Sequence, residues 1–161
     1  MTALEFRRHD HRGCVAGALR AAEGRCAAAG LRLTPVRRRV LELLLEDHRA
    51  LGAYDILARL AAEGAAAQPP VAYRALEFLT RNGFAHKIER LNAYVACGRP
   101  GAPHDPAFLI CRACATVAEA AAPAGERSVG TAARQAGFQV ERVVIEAEGL
   151  CPGCQHAAPP R

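Results

Sequence analysis

Two C-x2-C pairs, far apart in the sequence, constrain this chain more than any other feature: Cys111-Arg112-Ala113-Cys114 and Cys151-Pro152-Gly153-Cys154. Each turn places two sulfurs on one side of a tight loop. Brought together, they form a tetrahedral four-sulfur site that suits Zn(II) and closes its coordination sphere. Such a site ties together two stretches that are 36 residues apart. A redox dithiol and a pair of disulfides are the other readings, and disulfides would imply a secreted chain. Residues 1–12, MTALEFRRHDHR, carry no apolar signal segment. Seven cysteines without such a segment point to thiolates used for metal in a reducing cytosol, so a cytoplasmic protein is expected.

A chain of 161 residues allows one domain or two small ones, and with 51% of them apolar a real core can form. No run of about 18 apolar residues occurs, which excludes a membrane-spanning helix. Charge is unevenly spread. Residues 1–98 hold 15 Lys+Arg against 10 Asp+Glu, whereas residues 99–161 hold 6 against 6. The whole net charge of +5 therefore belongs to the first part. A basic segment beside a neutral one suggests an N-terminal polyanion reader and a C-terminal module with another task. A solvated helical surface would give the same imbalance.

The punctuation of the chain supports that division. Residues 11–29 have helical composition and stop at Gly30, with Cys14 and Cys26 read as buried or idle thiols. Thr34-Pro35 is an N-cap followed by proline at the first helical position, which predicts a helix to about Asp47. Val36, Val40, Leu43 and Leu44 form its apolar face, and Arg37, Arg38 and Arg39 lie around the other side. A second helix follows Gly52 through Leu60, ending near Gly64. A third covers 70–82, with Val71, Ala75, Phe78 and Leu79 inward and Tyr73, Arg74, Glu77 and Arg81 outward. The period then changes. Residues 84–90 and 92–97 alternate like two strands joined at Leu91-Asn92. Three short helices followed by a hairpin predict a winged helix-turn-helix, with the helix at 70–82 entering the DNA major groove.

Gly98 to Pro103 is dense in glycine and proline and marks a hinge. The predicted organisation is α+β: a winged-helix DNA-binding domain at 1–97, a hinge at 98–104, and a small α/β dimerisation and metal-binding domain at 105–161. In the last part, strands at 107–110 and 116–118 flank the first cysteine pair. A helix is expected at 124–136 with Gly137 as its cap. One long strand, Phe138 to Glu148, is expected to lead into the second pair, and the tail from His156 to Arg161 is expected to be disordered. A module of about 55 residues is small for a self-sufficient core, so zinc, a dimer partner, or both should support it.

A second group of metal-ligand types surrounds the hinge: His86, Cys97 and His104, with Glu119 as the fourth and Asp105 as an alternative oxygen donor. A thiolate with imidazoles and one carboxylate favours Zn(II) over Fe(II) or Mn(II), because sulfur is the softer donor. An ion taking donors from both sides of a hinge is a plausible switch. A single histidine or glutamate on a strand is also, commonly, a surface residue. His9, His11, His48 and His156 show no comparable arrangement and read as solvated.

Taken jointly, these residues resemble the ferric uptake regulator family of metal-dependent repressors, in its zinc uptake regulator branch. The resemblance runs over roughly residues 15–155. It rests on Arg32-Leu33-Thr34-Pro35, Ala53-Tyr54-Asp55, Pro69-Pro70 with Tyr73-Arg74-Ala75-Leu76, Phe84-Ala85-His86-Lys87, Cys97, Phe108-Leu109-Ile110-Cys111 and Val144 to Cys151. It implies that Cys111, Cys114, Cys151 and Cys154 hold a structural zinc, and that His86, Cys97, His104 and Glu119 hold a regulatory one, two zinc ions per chain. It implies base contacts from Tyr54 and Arg74 and a backbone contact from Tyr73. The partners implied are double-stranded operator DNA and a second copy of the chain, with no membrane and no small-molecule substrate. Two departures stand out. Val71-Ala72 replaces the usual Thr-Val, and the histidine-rich run of iron sensors is reduced to His104-Asp105, which argues against iron.

The function expected is that of a zinc-responsive transcriptional repressor, not an enzyme, which binds its operator as a zinc-loaded homodimer and controls zinc uptake genes. A peroxide-, redox- or other-metal-sensing repressor on the same fold is the alternative. A zinc hydrolase built on His86, His104 and Glu119 is disfavoured, because Cys97 as a fourth ligand would close the site.

Overall fold

The computed structural model describes residues 11–65, 68–102, 104–121 and 123–157. The chain divides into two compact units, one within Arg8–Gly101 and one within Ala102–Arg161. The fold is mixed α+β.

The first unit begins with α1 (His11–Ala28). Gly30, at φ +66°, ends it in the left-handed region that favours glycine. α2 (Pro35–Glu46) starts where the Thr-Pro signal placed it, with the Thr34 hydroxyl accepting from the Arg37 N–H at 3.4 Å. α3 (Ala53–Ala62) is opened by Asp55, whose carboxylate accepts the Gly52 N–H at 3.1 Å. α4 (Pro69–Arg81) begins on two prolines, where missing N–H groups cost nothing. Leu43, Leu44, Ile56, Leu76 and Leu79 fill the centre of the core and are almost wholly buried.

The buried face of α4 differs from the expected one. Ala72, Ala75, Leu76 and Leu79 are buried, while Val71 and Phe78 are only half-buried. The helix is thus rotated by about one residue from the expected phase. The Arg37 guanidinium lies 3.8 Å over the Phe78 ring, so that ring serves as a platform for a cation. On α2, Leu41 joins the buried face and Val36 is half-buried.

The hairpin is β1 (Ala85–Ile88) and β2 (Ala93–Ala96), antiparallel, with Ala85 opposite Ala96 and His86 opposite Val95. It is shorter than expected. The turn occupies residues 89–92, with Asn92 at φ +45°. Leu51 adds a short third rung, exchanging both backbone hydrogen bonds with Tyr94 at 2.9 Å.

In the second unit, β3 (Pro106–Cys111) is central in a three-stranded sheet of order β4-β3-β5. β4 (Val117–Ala121) pairs antiparallel with it, and β5 (Ile145–Gly149) pairs parallel. α5 (Pro123–Gln135) makes the crossover that a parallel pair requires, and Gly137 at φ +67° follows its end. The short α6 (Pro152–Ala157) carries the last cysteine.

Two expectations fail here. The long strand from Phe138 to Glu148 is a strand only from Ile145. Its alternation is real, but among the described residues no strand of the chain pairs with 138–144. Phe138, Val140 and Val144 remain exposed. In the tail, His156 and Ala157 belong to α6, and residues 158–161 lie outside those described.

Candidate metal centres and nucleic-acid interface

The sheet register assembles the four-sulfur site. β3 ends on Cys111, whose register partner in β5 is Gly149, two residues before Cys151. Parallel pairing therefore brings both cysteine turns to the same edge. At that edge the Arg112 N–H donates to the Gly149 carbonyl at 2.9 Å. The first turn closes when Ala115, at φ +61°, donates its N–H to the Cys111 carbonyl. The second closes through the Cys154 and Gln155 N–H groups, both donated to the Cys151 carbonyl at 3.0 Å. Ligand atoms of Cys111, Cys114, Cys151 and Cys154 all lie within 4.8 Å of one another.

That geometry fits zinc. A tetrahedral ion with Zn–S bonds of about 2.3 Å separates its sulfurs by about 3.8 Å. The Cys114 and Cys151 sulfurs are 3.7 Å apart. This is far beyond a disulfide bond, and all seven cysteines are free thiols. The surroundings favour thiolate on the first turn. The Cys151 N–H points at the Cys111 sulfur at 3.3 Å and, with further backbone donors, pulls that thiol down to about 6. Cys114 is lowered by Thr116, whose hydroxyl oxygen lies 3.1 Å from its sulfur. Cys154 is pushed up to about 12 by the Cys151, Cys114 and Cys111 sulfurs around it, a crowding of negative charge that a cation relieves.

The remaining candidate ligands occur as two pairs, one in each unit. In the first unit, His86 and Cys97 share a face of the hairpin. The Cys97 N–H donates to the Phe84 carbonyl at 2.9 Å, which extends the ladder by one rung beyond Ala85–Ala96. Cys97 is therefore the diagonal neighbour of His86, and their ligand atoms come within 4.8 Å of each other. In the second unit, Glu119 stands in β4 opposite Phe108, and His104 lies two residues before β3. His104 Nε2 is 2.6 Å from Glu119 Oε1, with both side chains about nine-tenths buried. His104 Nδ1 is 2.6 Å from the Ala102 carbonyl. A ring that donates Nδ1–H to that carbonyl turns a lone pair towards the carboxylate, and a proton or a metal ion must lie between them. Asp105, the alternative donor, is exposed. His48 is half-buried, His156 is exposed, and His9 and the His11 side chain lie outside the described residues.

The surface of the helical unit separates its arginines. Arg38 pairs with Glu23 at 2.6 Å; Arg39 pairs with Glu42 at 2.9 Å, with Glu46 at 2.7 Å and with Glu63. Arg37 donates to the Arg32 carbonyl at 2.6 Å. This trio is held by its own neighbours. Arg74 is different: it is exposed on α4 and, among the described residues, makes no ion pair. Tyr73 beside it is 46% exposed, and Tyr54 in the first turn of α3 is 73% exposed. Large aromatics left so open next to an unpaired guanidinium suit a flat polyanionic partner.

Several contributors had no sequence signal of their own. Thr116 acts through its hydroxyl, Ala102 through its carbonyl, and Arg25 through a contact between residues far apart in sequence.

The model of the ferric uptake regulator family matches residues 28–148. The zinc uptake regulation protein of Escherichia coli K12 is 43% identical over 134 residues, covering 83% of this chain and 78% of that protein. A solved structure described as a zinc uptake regulator complexed with zinc and DNA superposes with a TM-score of 0.84 at 41% identity, over 89% of this chain and 96% of that one. Holo XcZur superposes at 0.77 with 40% identity, over 86% and 96%. With its family model matched through both units and these relatives matched along most of their length, this chain belongs to the ferric uptake regulator family.

Proposed function

We propose that this chain is a cytoplasmic, zinc-responsive transcriptional repressor that binds operator DNA as a homodimer and controls zinc uptake genes. The observation that carries this reading is its likeness, at a TM-score of 0.84, to a zinc uptake regulator bound to both zinc and DNA. Residues 1–97 are the DNA-binding domain, 98–104 the hinge and 105–161 the dimerisation domain. Zinc held by Cys111, Cys114, Cys151 and Cys154 is structural, since four protein sulfurs leave no open position. A second, regulatory zinc takes His86, Cys97, His104 and Glu119. The mixed donor set and the close approach of His104 to Glu119 support it.

When bound, that ion supplies a charge which draws the four donors into one coordination sphere. Two of them precede the hinge in the sequence, and two close or follow it. Zinc occupancy and DNA affinity are then linked by a reciprocal coupling. Arg74 reads a purine acceptor in the major groove, Tyr54 adds base contact, and Tyr73 contacts the backbone. The dimer reads two half-sites about 10 bp apart, or a multiple of that. With four protein ligands at each zinc, neither site offers a substrate position, and we assign no catalytic activity.

The test is operator binding against buffered free zinc, with metal counted per chain. Two zinc ions per chain and binding that rises with occupancy of the weaker site are expected. Binding indifferent to zinc but abolished by peroxide would replace this reading with the redox one.

A further inference from the structure

Arg25, in the last turn of α1, is half-buried, with its guanidinium turned onto an aromatic ring. Its guanidinium carbon lies 4.6 Å from the centre of the Phe84 ring. Its Nη1 is shielded from solvent and has no hydrogen-bond partner among the described residues. Gly101, at φ +94°, is also close to the guanidinium. A Cβ built on Gly101 would stand 3.0 Å from Arg25 Nε and 3.3 Å from its central carbon. The guanidinium thus lies close to both an aromatic ring and a bare stretch of linker backbone. Only glycine can both adopt that φ and leave room for the cation.

Shielding a charged N–H group that has no hydrogen-bond partner is costly, and burial of the aliphatic stem could have been achieved by a leucine. What Arg25 adds is a planar fork that stacks on a ring while its nitrogens reach the chain beyond. Both things it touches lead to proposed zinc donors. The Phe84 carbonyl receives the Cys97 N–H, and His86 is two residues further along the chain, in β1. Gly101 is three residues before His104 in the chain.

We propose that Arg25 is a positioning residue for the regulatory zinc: it locks the His86–Cys97 end of the hairpin and, through Gly101, the point from which the linker departs towards His104. This rests on the reading of those residues as ligands. Arg25 itself touches no metal and acts only by holding donors in place, as outer-shell groups do at other metal sites.

Arg25→Ala removes the stack. Gly101→Ala leaves Arg25 intact but forces a Cβ into the guanidinium and strains the backbone. Zinc affinity is measured in the full-length chain by competition with a fluorescent chelator, so that the tight sulfur site and the second site are separated. Co(II) loaded into the second site reports ligand geometry through its d–d bands. Both variants should weaken the second site by about 10–100-fold and shift the Co(II) bands, while the tight zinc stays. Arg25→Lys, which lacks the planar fork, should recover only part of the loss. Cys97→Ser is the control for the underlying reading: if it retains the second zinc, the ligand assignment is wrong. If Cys97→Ser loses that zinc while Arg25→Ala and Gly101→Ala bind it normally, the assignment stands and the role of Arg25 is overturned. Should Arg25→Ala fail to fold, Gly101→Ala decides the matter alone.

Discussion

Arg74 shows how much one side chain can be asked to do. It is exposed on the outer face of α4 and makes no ion pair among the described residues, whereas Arg37, Arg38 and Arg39 are engaged by their own neighbours. The base contact proposed for it would therefore break no internal ion pair. Arg74→Ala should cost about 1–3 kcal/mol of discrimination between operator and scrambled DNA while both zinc ions remain bound. Fluorescence anisotropy on the two duplexes measures this, and unchanged discrimination would remove α4 from the recognition role. A second residue-scale consequence concerns Cys111. Its folded pKa, about 6, is depressed from the ordinary 9.0 by the Cys151 N–H and other backbone donors. A depressed pKa contributes stability that is present above the unfolded value and is lost as pH falls through the folded one. Protons compete with zinc for this thiolate, so zinc should be released on acidification, with loss of the C-terminal fold. Dye-detected zinc release that does not increase as pH falls would contradict it.

At the scale of elements, α4 gives the sharper test of packing. Leu76 is 1% exposed and Val71 only half-buried, although periodicity alone put Val71 on the inner face and left Leu76 out. Leu76→Ala should destabilise the helical unit by about 2–5 kcal/mol. Val71→Ala should cost less than about 1 kcal/mol, as a partly exposed position does. Chemical denaturation of each variant checks the ranking, and a larger loss at Val71 would restore the original phase. The helix ends were legible because they rest on local chemistry: Thr34-Pro35, Gly30, Gly137. The phase was not, because Phe78 looks like a core residue until Arg37 is seen stacked on it. The four-sulfur site was legible from spacing alone, since two C-x2-C turns have few other uses. The Arg25–Gly101 contact was not, since nothing in the sequence links residues that far apart.

For the whole molecule, the decisive feature is apolar surface that the chain leaves uncovered. Val129, Phe138, Val140 and Val144 are all exposed in the second unit, Phe138 at 68%. Residues 138–144 carry the alternation of a half-buried strand, yet among the described residues none of them is in one. The alternation is present in the sequence, but the strand expected there does not form before Ile145: a strand needs a partner, and among the described residues none pairs with 138–144. A second copy meeting this surface would account for both the alternation and the exposure. Burying one phenylalanine is worth about 1.5–3 kcal/mol, and a symmetric dimer counts it twice. Phe138→Glu should accordingly weaken dimerisation by at least about 100-fold, since about 3 kcal/mol exceeds two factors of ten. Sedimentation equilibrium should show monomer at concentrations where the parent chain is dimeric, with the four-sulfur zinc still bound because Phe138 is none of its ligands. Operator affinity should fall with it, because a monomer engages one half-site only. A Phe138→Glu protein that stays dimeric would move the interface off this surface, and one that is monomeric yet binds the operator normally would dismiss the dimer from recognition altogether.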